Sequence, residues 1–151
     1  MKKNLFANLK EINNYFLKKE NIYYFFLIIT IFFLDRYTKF QIINNFNENI
    51  YFVNNFINID LIWNTGISFG LLSSDSSLIY NSISSIIALV IIFLVYFIII
   101  SSRTDKVIFS IIVGGAVGNF YDRLIYRAVP DFIDLHYQNF HWFTFNLADI
   151  F

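Results

Sequence analysis

Two carboxylates stand at the edges of apolar segments, where a charged side chain is costly. Asp122 follows the glycine-rich apolar run 114–121, and Asp149 lies in the segment 145–149. An ionisable residue at the edge of a lipid-soluble helix is a candidate functional residue because burying its charge is expensive. Two close carboxylates can share one proton, so that one accepts a proton from water while the other acts as the acid. The first chemistry that these residues indicate is hydrolysis by an aspartate pair.

The composition is typical of a membrane protein. Hydrophobic residues make up 57% and charged residues 15% of the 151 positions, against about 45–50% and about 25% in soluble domains. The formal net charge is zero, so nothing global indicates a nucleic-acid partner. The absence of cysteine excludes disulfides, thiolate nucleophiles and cysteine-based zinc sites.

Three apolar runs predict three helices, at residues 22–34, 78–100 and 107–121. The second run carries no charge and predicts a transmembrane helix. A fourth run has barely begun at Phe151, so we expect an α-helical polytopic fold of four helices from which the fourth helix is missing. The chain is read as one membrane-embedded domain, residues 1–151.

The distribution of Lys and Arg predicts the orientation. The arm 1–20 carries five and the turn 101–106 two, against four on the other side (Arg36, Lys39, Arg123 and Arg127), which predicts that the N-terminus and that turn lie in the cytoplasm. The arm itself fits either an interfacial amphipathic helix or a basic tail.

Runs 22–34 and 107–121 would each span only about 20–22 Å, less than the hydrocarbon core of about 30 Å. Asp35 and Asp122 therefore fall within the membrane region, and helix 1 must continue, to about Ile43. Asp35 and Lys39 are then four residues apart on one helix and can neutralise each other.

A small extracytoplasmic β element is predicted over the ends of these helices. Apolar and polar residues alternate around 57–64, as in a strand. Residues 128–145 also have an extended pattern, and Pro130 excludes a helix interior there.

The polar motifs fall at one membrane level, which favours a site over isolated ion pairs. Besides Asp122 and Asp149, the candidate substrate-binding or supporting residues are Asp35, Lys39, Asn64, Gly66, Asn119, Arg123 and Asn146.

These segments resemble the lipoprotein signal peptidases (signal peptidase II), which are bacterial membrane aspartyl proteases. The matching motifs, in the family's order, are D-x-x-T-K, N-x-G-x-S-F-G, G-G-A-x-G-N-x-x-D-R, V-x-D-F and F-N-x-A-D, over roughly residues 22–151. The resemblance implies that Asp122 and Asp149 are the catalytic pair, and that the substrate is a diacylglyceryl-prolipoprotein cut just before its lipidated cysteine. It also implies an inner-membrane enzyme among membrane lipids with no metal or organic cofactor, and the orientation predicted above puts the site toward the outer face. A monomer is expected.

Helix-end electrostatics favour Asp149 as the base and Asp122 as the acid. Asn146 can cap a following helix, whose positive end would favour an ionised Asp149. Asp122 lies near the negative end of helix 3, which favours its protonated form, although the adjacent Arg123 acts in the opposite direction. Asp131 and Asp134 fit either a solvated extended segment or the V-x-D-F segment.

Two other functions compete with this interpretation. Residues 66–70 (GISFG) match the nucleophile-elbow pattern, so a serine peptidase could use Ser68 with His136 or His141, but no βαβ pattern supports it. The two histidines lack a recognised metal-ligand spacing and fit ordinary surface residues. A non-catalytic scaffold or transport subunit would instead have its charges spread over different depths.

Three features depart from the family pattern. Arg127 stands where glycine is usual, and Phe143 where proline is common. Because the sequence stops two residues after Asp149, we expect either a fragment or a catalytically damaged protein, since an aspartate needs a rigid support to act in a pair.

Overall fold

The computed structural model describes residues 19–46, 50–66 and 77–151. The elements in chain order are α1 (Lys19–Asn45), β1 (Tyr51–Asn54), β2 (Ile57–Asn64), α2 (Ser77–Ile100), α3 (Arg103–Tyr126), β3 (Val129–Tyr137), β4 (Phe140–Phe145) and a 3-10 helix (Leu147–Ile150). Most of the predicted basic arm, and Ser68 with positions 67–70 of its pattern, lie outside the described residues.

The three predicted helices are confirmed, and each extends beyond its apolar run. Helix α1 continues through Asp35 and Lys39 to Asn45, close to the predicted end. Helix α3 continues past Asp122 to Tyr126. Among the described residues, two helical segments are long and apolar enough to cross a membrane, namely Tyr80–Ile100 and Arg103–Tyr126.

Helix α3 is the central element, because α1, α2 and the 3-10 helix all pack against it. Its glycines permit this close approach. A Cβ atom on Gly115 would lie 2.5 Å from the carbonyl oxygen of Ala148 in the 3-10 helix, and one on Gly118 would overlap the carboxylate of Asp35. The glycine cluster of α3 therefore makes room for the segment that carries Asp149 and for the polar part of α1.

The four strands form one antiparallel sheet in the order β1-β2-β3-β4. The strand predicted at 57–64 and the extended segment 128–145 are confirmed as β2 and as the β3–β4 hairpin. Strand β1 was not predicted, because its sequence, YFVN, shows no alternation of apolar and polar residues. All four of its residues are exposed. Because only residues 127 and 128 separate α3 from β3, the sheet lies next to the end of α3 that carries Asp122.

Arg127 ends α3 in the left-handed backbone conformation, with φ 56°. A side chain with a Cβ is strained there, whereas glycine is not. We expect Arg127→Gly to raise the free energy of unfolding by about 0.5–1 kcal/mol, measured by denaturant unfolding in detergent. Arg127→Ala is the matched control, because it removes the same side chain and keeps the strain. Equal effects of both substitutions would contradict the backbone explanation.

Candidate active site

The ammonium group of Lys39 joins α1 to α3. Its Nζ donates to Asp35 Oδ2 at 2.8 Å, to Asn119 Oδ1 at 2.8 Å and to Asp122 Oδ2 at 2.7 Å. Lys39, Asp35 and Asp122 are all fully buried. An ammonium has three donors, and here each has an acceptor. The predicted Asp35–Lys39 pair is thus confirmed and is part of a larger cluster.

Asp122 is occupied on both oxygens by cations. Lys39 binds Oδ2, and Arg36 Nη1 forms an ion pair with Oδ1. The guanidinium of Arg36 also lies 4.7 Å from the ring centre of Tyr121. A buried carboxylate between two cations has no oxygen directed at water, so these contacts favour a structural role for Asp122 over the predicted catalytic role.

Asn119 connects this ion cluster to Asp149. Its Oδ1 accepts from Lys39, which has no acceptor to offer, so the amide nitrogen must face away from the lysine. That nitrogen donates to Asp149 Oδ1 at 2.9 Å. Lys39 therefore determines which end of the Asn119 amide meets Asp149.

Asp149 is exposed and is held by a second hydrogen bond, from the backbone N–H of Asn146 to Oδ2 at 3.0 Å. The Asn146 side chain in turn accepts from the N–H of Ala148, which completes a capping box at the start of the 3-10 helix. The predicted cap at Asn146 is confirmed, although the element that it caps here is one turn of 3-10 helix.

Asp131 is the carboxylate that sequence reasoning left undecided. It is only 4% exposed, so the solvated alternative is wrong. Its Oδ1 accepts from the Asn146 side chain at 2.6 Å and its Oδ2 from the Asn64 side chain at 3.0 Å. Burial raises the pKa of Asp131 to about 6, with a further contribution from the charge of Asp149 and in opposition to the two amide hydrogen bonds. Its place in the V-x-D-F segment was the only sequence signal for this residue.

Arg123 binds two backbone carbonyl groups: its Nη2 donates to the carbonyl of Gly66 at 2.8 Å and its Nη1 to that of Asn119 at 3.3 Å. The N–H of Gly66 donates to Asn64 Oδ1 at 2.9 Å, so the Asn64 amide nitrogen is left to face Asp131. Arg123 and Gly66 thus support the Asn64 contact.

The two histidines lie on the β3–β4 hairpin. His141 Nδ1 is 2.8 Å from Asp134 Oδ2, and its ring stacks on that of His136. His136 is 6% exposed, so the prediction that it is a surface residue is wrong. Over the described ranges, no group of His, Asp or Glu side chains has an arrangement able to hold a metal ion.

Comparisons with a family model, with known sequences and with solved structures agree with one another. A family model described as signal peptidase (SPase) II matches residues 27–151. A lipoprotein signal peptidase of Pelagibacter ubique is 49% identical over 83% of this chain and 77% of its own, and one of Francisella tularensis subsp. novicida is 39% identical over 88% and 86%. A bacterial membrane enzyme solved by the in meso method superposes with a TM-score of 0.72 at 29% identity, covering 84% of this chain and 78% of that one.

Removing the ammonium of Lys39 would leave two buried carboxylates short of partners. We expect Lys39→Met to lower the free energy of unfolding by about 3–5 kcal/mol, measured by denaturant unfolding in detergent. Arg36→Met is the matched control. The Arg36 side chain is 16% exposed, and its loss leaves Asp122 paired with Lys39, so the decrease should be clearly smaller. Equal losses would show that Lys39 is not the central contact.

The raised pKa of Asp131 predicts a pH dependence of stability. Between the ordinary value of 3.8 and about 6, the folded protein keeps a proton that the unfolded chain has lost. This contribution to stability is therefore present at low pH and is lost as pH rises through about 6, by on the order of 2–3 kcal/mol. The measurement is the free energy of unfolding of the unmodified protein minus that of Asp131→Asn, at pH 4 to 7. A difference that stays constant over this range would contradict the raised pKa.

Proposed function

This chain belongs to the signal peptidase II family, whose members remove signal peptides from prolipoproteins, and we propose that Asp131 and Asp149 are the carboxylates with which it does so. It is an endopeptidase by family. The aspartyl mechanism predicted from the sequence is kept, while the partner of Asp149 becomes Asp131 in place of Asp122.

The observation that carries this proposal is the position of Asn146 between the two carboxylates. Its backbone N–H donates to Asp149 and its side-chain amide donates to Asp131. Asp122, in contrast, is linked to Asp149 through two intervening side chains, Lys39 and Asn119. The pair bridged by one residue is the pair that can act on one substrate bond.

The two environments give the two carboxylates different roles. Asp131 is buried, receives only neutral amide donors and has its pKa raised to about 6, so it is the group that retains a proton. Asp149 is exposed and can reach a water molecule. Unequal environments of this kind distinguish the acid from the base in carboxylate pairs.

The reaction then balances in two steps. Asp149 takes a proton from water while the water oxygen attacks the scissile carbonyl carbon, and Asp131 gives its proton to the carbonyl oxygen. Collapse of the tetrahedral intermediate breaks the C–N bond, and the proton held by Asp149 passes to the leaving nitrogen. Deprotonated Asp131 recovers its proton from the hydroxyl that becomes the new carboxyl group.

The remaining predicted residues support this pair. Asn119 and Asn64 donate to Asp149 and Asp131 respectively, while Lys39, Asp35, Gly66 and Arg123 hold those amides in place through the contacts described above. No residue of this set needs a metal or organic cofactor for the proposed steps.

We further propose that the chain is a single polytopic domain in the bacterial inner membrane. The matched solved structure is a bacterial membrane enzyme, and α2 and α3 are long and apolar enough to span. Helix α1 has Asp35 and Lys39 neutralised inside the protein, which removes the main cost of spanning. The bias of Lys and Arg supports a cytoplasmic N-terminus, which puts the site at the outer face. The substrate would be a diacylglyceryl-prolipoprotein, presented among membrane lipids to a monomer.

Substitution of each aspartate tests the pair. We expect Asp131→Asn and Asp149→Asn each to lower kcat by on the order of a thousandfold or more, because each removes an acid–base group. Asp122→Asn should retain most of its activity per folded molecule. The measurement is cleavage of a diacylated prolipoprotein in proteoliposomes, normalised to folded protein, together with kcat/KM against pH, which should fall as pH rises through about 6.

Two outcomes would decide against the proposal, and a third concerns what the chain needs in order to be active. Activity lost in Asp122→Asn and kept in Asp131→Asn would restore the pair predicted from the sequence. Activity kept in all three variants but lost in Ser68→Ala would favour the serine peptidase. Absence of cleavage by the unmodified chain, with restoration by an added fourth helix, would show that these 151 residues need that helix.

A further inference from the structure

The β3–β4 hairpin both carries Asp131 and leads into Asn146, so its register sets the distance between them. Near the site, Ile133 is opposite Phe145 and Leu135 is opposite Phe143. Near the turn, the register is shifted, with His136 opposite His141. Trp142 therefore has no opposite residue on β3 and forms a β-bulge.

This bulge reconciles two different registers. The turn side is set by the two-residue turn 138–139, and the site side must place Asn146 against Asp131 at 2.6 Å. A hairpin without the bulge would keep the turn register throughout and would place Thr144 opposite Ile133. Asn146 would then move by one residue along β3, and its side chain would leave Asp131.

Three side chains on one face of the hairpin lie at the bulge. Asp134 and His136 are two residues apart on β3 and so point to the same face, and His141 is directly opposite His136. His141 Nδ1 lies 2.8 Å from Asp134 Oδ2, across the strands, and the two imidazole rings stack at 5.5 Å. Bulges next to active sites commonly have such a defined role.

The neighbouring strand fixes the other end of this contact. Asn58 of β2 donates to Asp134 Oδ2 at 3.3 Å, and the backbone N–H of His136 donates to the carbonyl of Phe56 at 2.9 Å. Asp134 is 4% exposed, so its carboxylate is held inside the sheet. His141 on β4 reaches the same carboxylate oxygen from the turn side of the bulge.

We propose that Asp134 and His141 are positioning residues, which pin the bulge at Trp142 and thereby hold Asn146 on Asp131. The inference rests on the proposed function, because it assigns the pair to the placement of the proposed catalytic aspartates. Neither residue touches the reacting atoms. They affect cleavage by keeping the pairing of β3 with β4 in the register that places Asn146 against Asp131.

The activity test compares His141→Phe and Asp134→Leu, singly and combined, with Asp134→Asn and Tyr137→Phe. Each disruptive variant should lower kcat about tenfold to a hundredfold. Asp134→Leu also removes the acceptor of Asn58, so the double variant should be no less active than Asp134→Leu alone, since the His141 contact is already lost there. Asp134→Asn keeps an oxygen that accepts from His141 and should recover most of the activity. Tyr137→Phe, an exposed position on the same hairpin, should stay within about twofold.

The pH profile separates positioning from simple destabilisation. The Asn146 hydrogen bond lowers the pKa of Asp131, so loss of that bond in His141→Phe should move the alkaline limb of kcat/KM to higher pH. A smaller folded fraction would instead lower kcat/KM by the same factor at every pH, and the pH at which it falls would not change. An unmoved limb overturns the proposal.

The register itself can be measured without activity, because the chain contains no cysteine. Ile133→Cys with Phe145→Cys joins opposite residues and should cross-link in the unmodified hairpin. Ile133→Cys with Thr144→Cys should cross-link only after the slip, and therefore only in the His141→Phe background. An unchanged cross-linking pattern in that background overturns the proposal. Failure of the proposed function would show separately, as absence of cleavage or as an active Asp131→Asn enzyme, whatever the cross-linking pattern.

Discussion

The buried ammonium of Lys39 is the constraint on which the other contacts depend. A fully buried cation is tolerated only when its charge and all its donors are matched, and the three acceptors come from two different helices. Helix α1 must therefore approach α3 closely at the level of these residues. Gly118 is required there because any Cβ would meet Asp35. The close packing of the two helices is therefore what allows the buried cluster to be neutral.

The same ammonium divides the carboxylates into two classes. Asp35 and Asp122 are neutralised by cations and serve the packing of α1 on α3. Asp131 and Asp149 receive hydrogen bonds from amide groups of Asn64, Asn119 and Asn146, and a neutral donor leaves a carboxylate free to gain or lose a proton. The proposed catalytic pair is distinguished by the type of its partners rather than by burial, since Asp122 and Asp131 are both buried.

The sheet adds the second half of the site. Its β3 strand brings Asp131 beside α3, and the hairpin returns Asn146 and then Asp149 to the same place. The 3-10 helix is seated on Gly115, so the helix bundle and the sheet meet at Asp149. Asp149 is thus held from both sides, by Asn119 of the bundle and by Asn146 of the hairpin, despite standing close to the last residue described.

The sequence by itself determined the helices, the main strands, the family and the set of polar residues that converge, because apolar period, glycine clustering and motif order are local properties of the chain. The partner of Asp149 is where the sequence-based prediction, Asp122, and the proposal from the structure, Asp131, differ. Asp122 and Asp131 both lie in recognisable motifs, and the decision rests on which side chains come to surround each one. Only the tertiary structure places Lys39 and Arg36 on Asp122 and Asn146 on Asp131, because those contacts join residues that are distant in sequence or depend on the register of a hairpin.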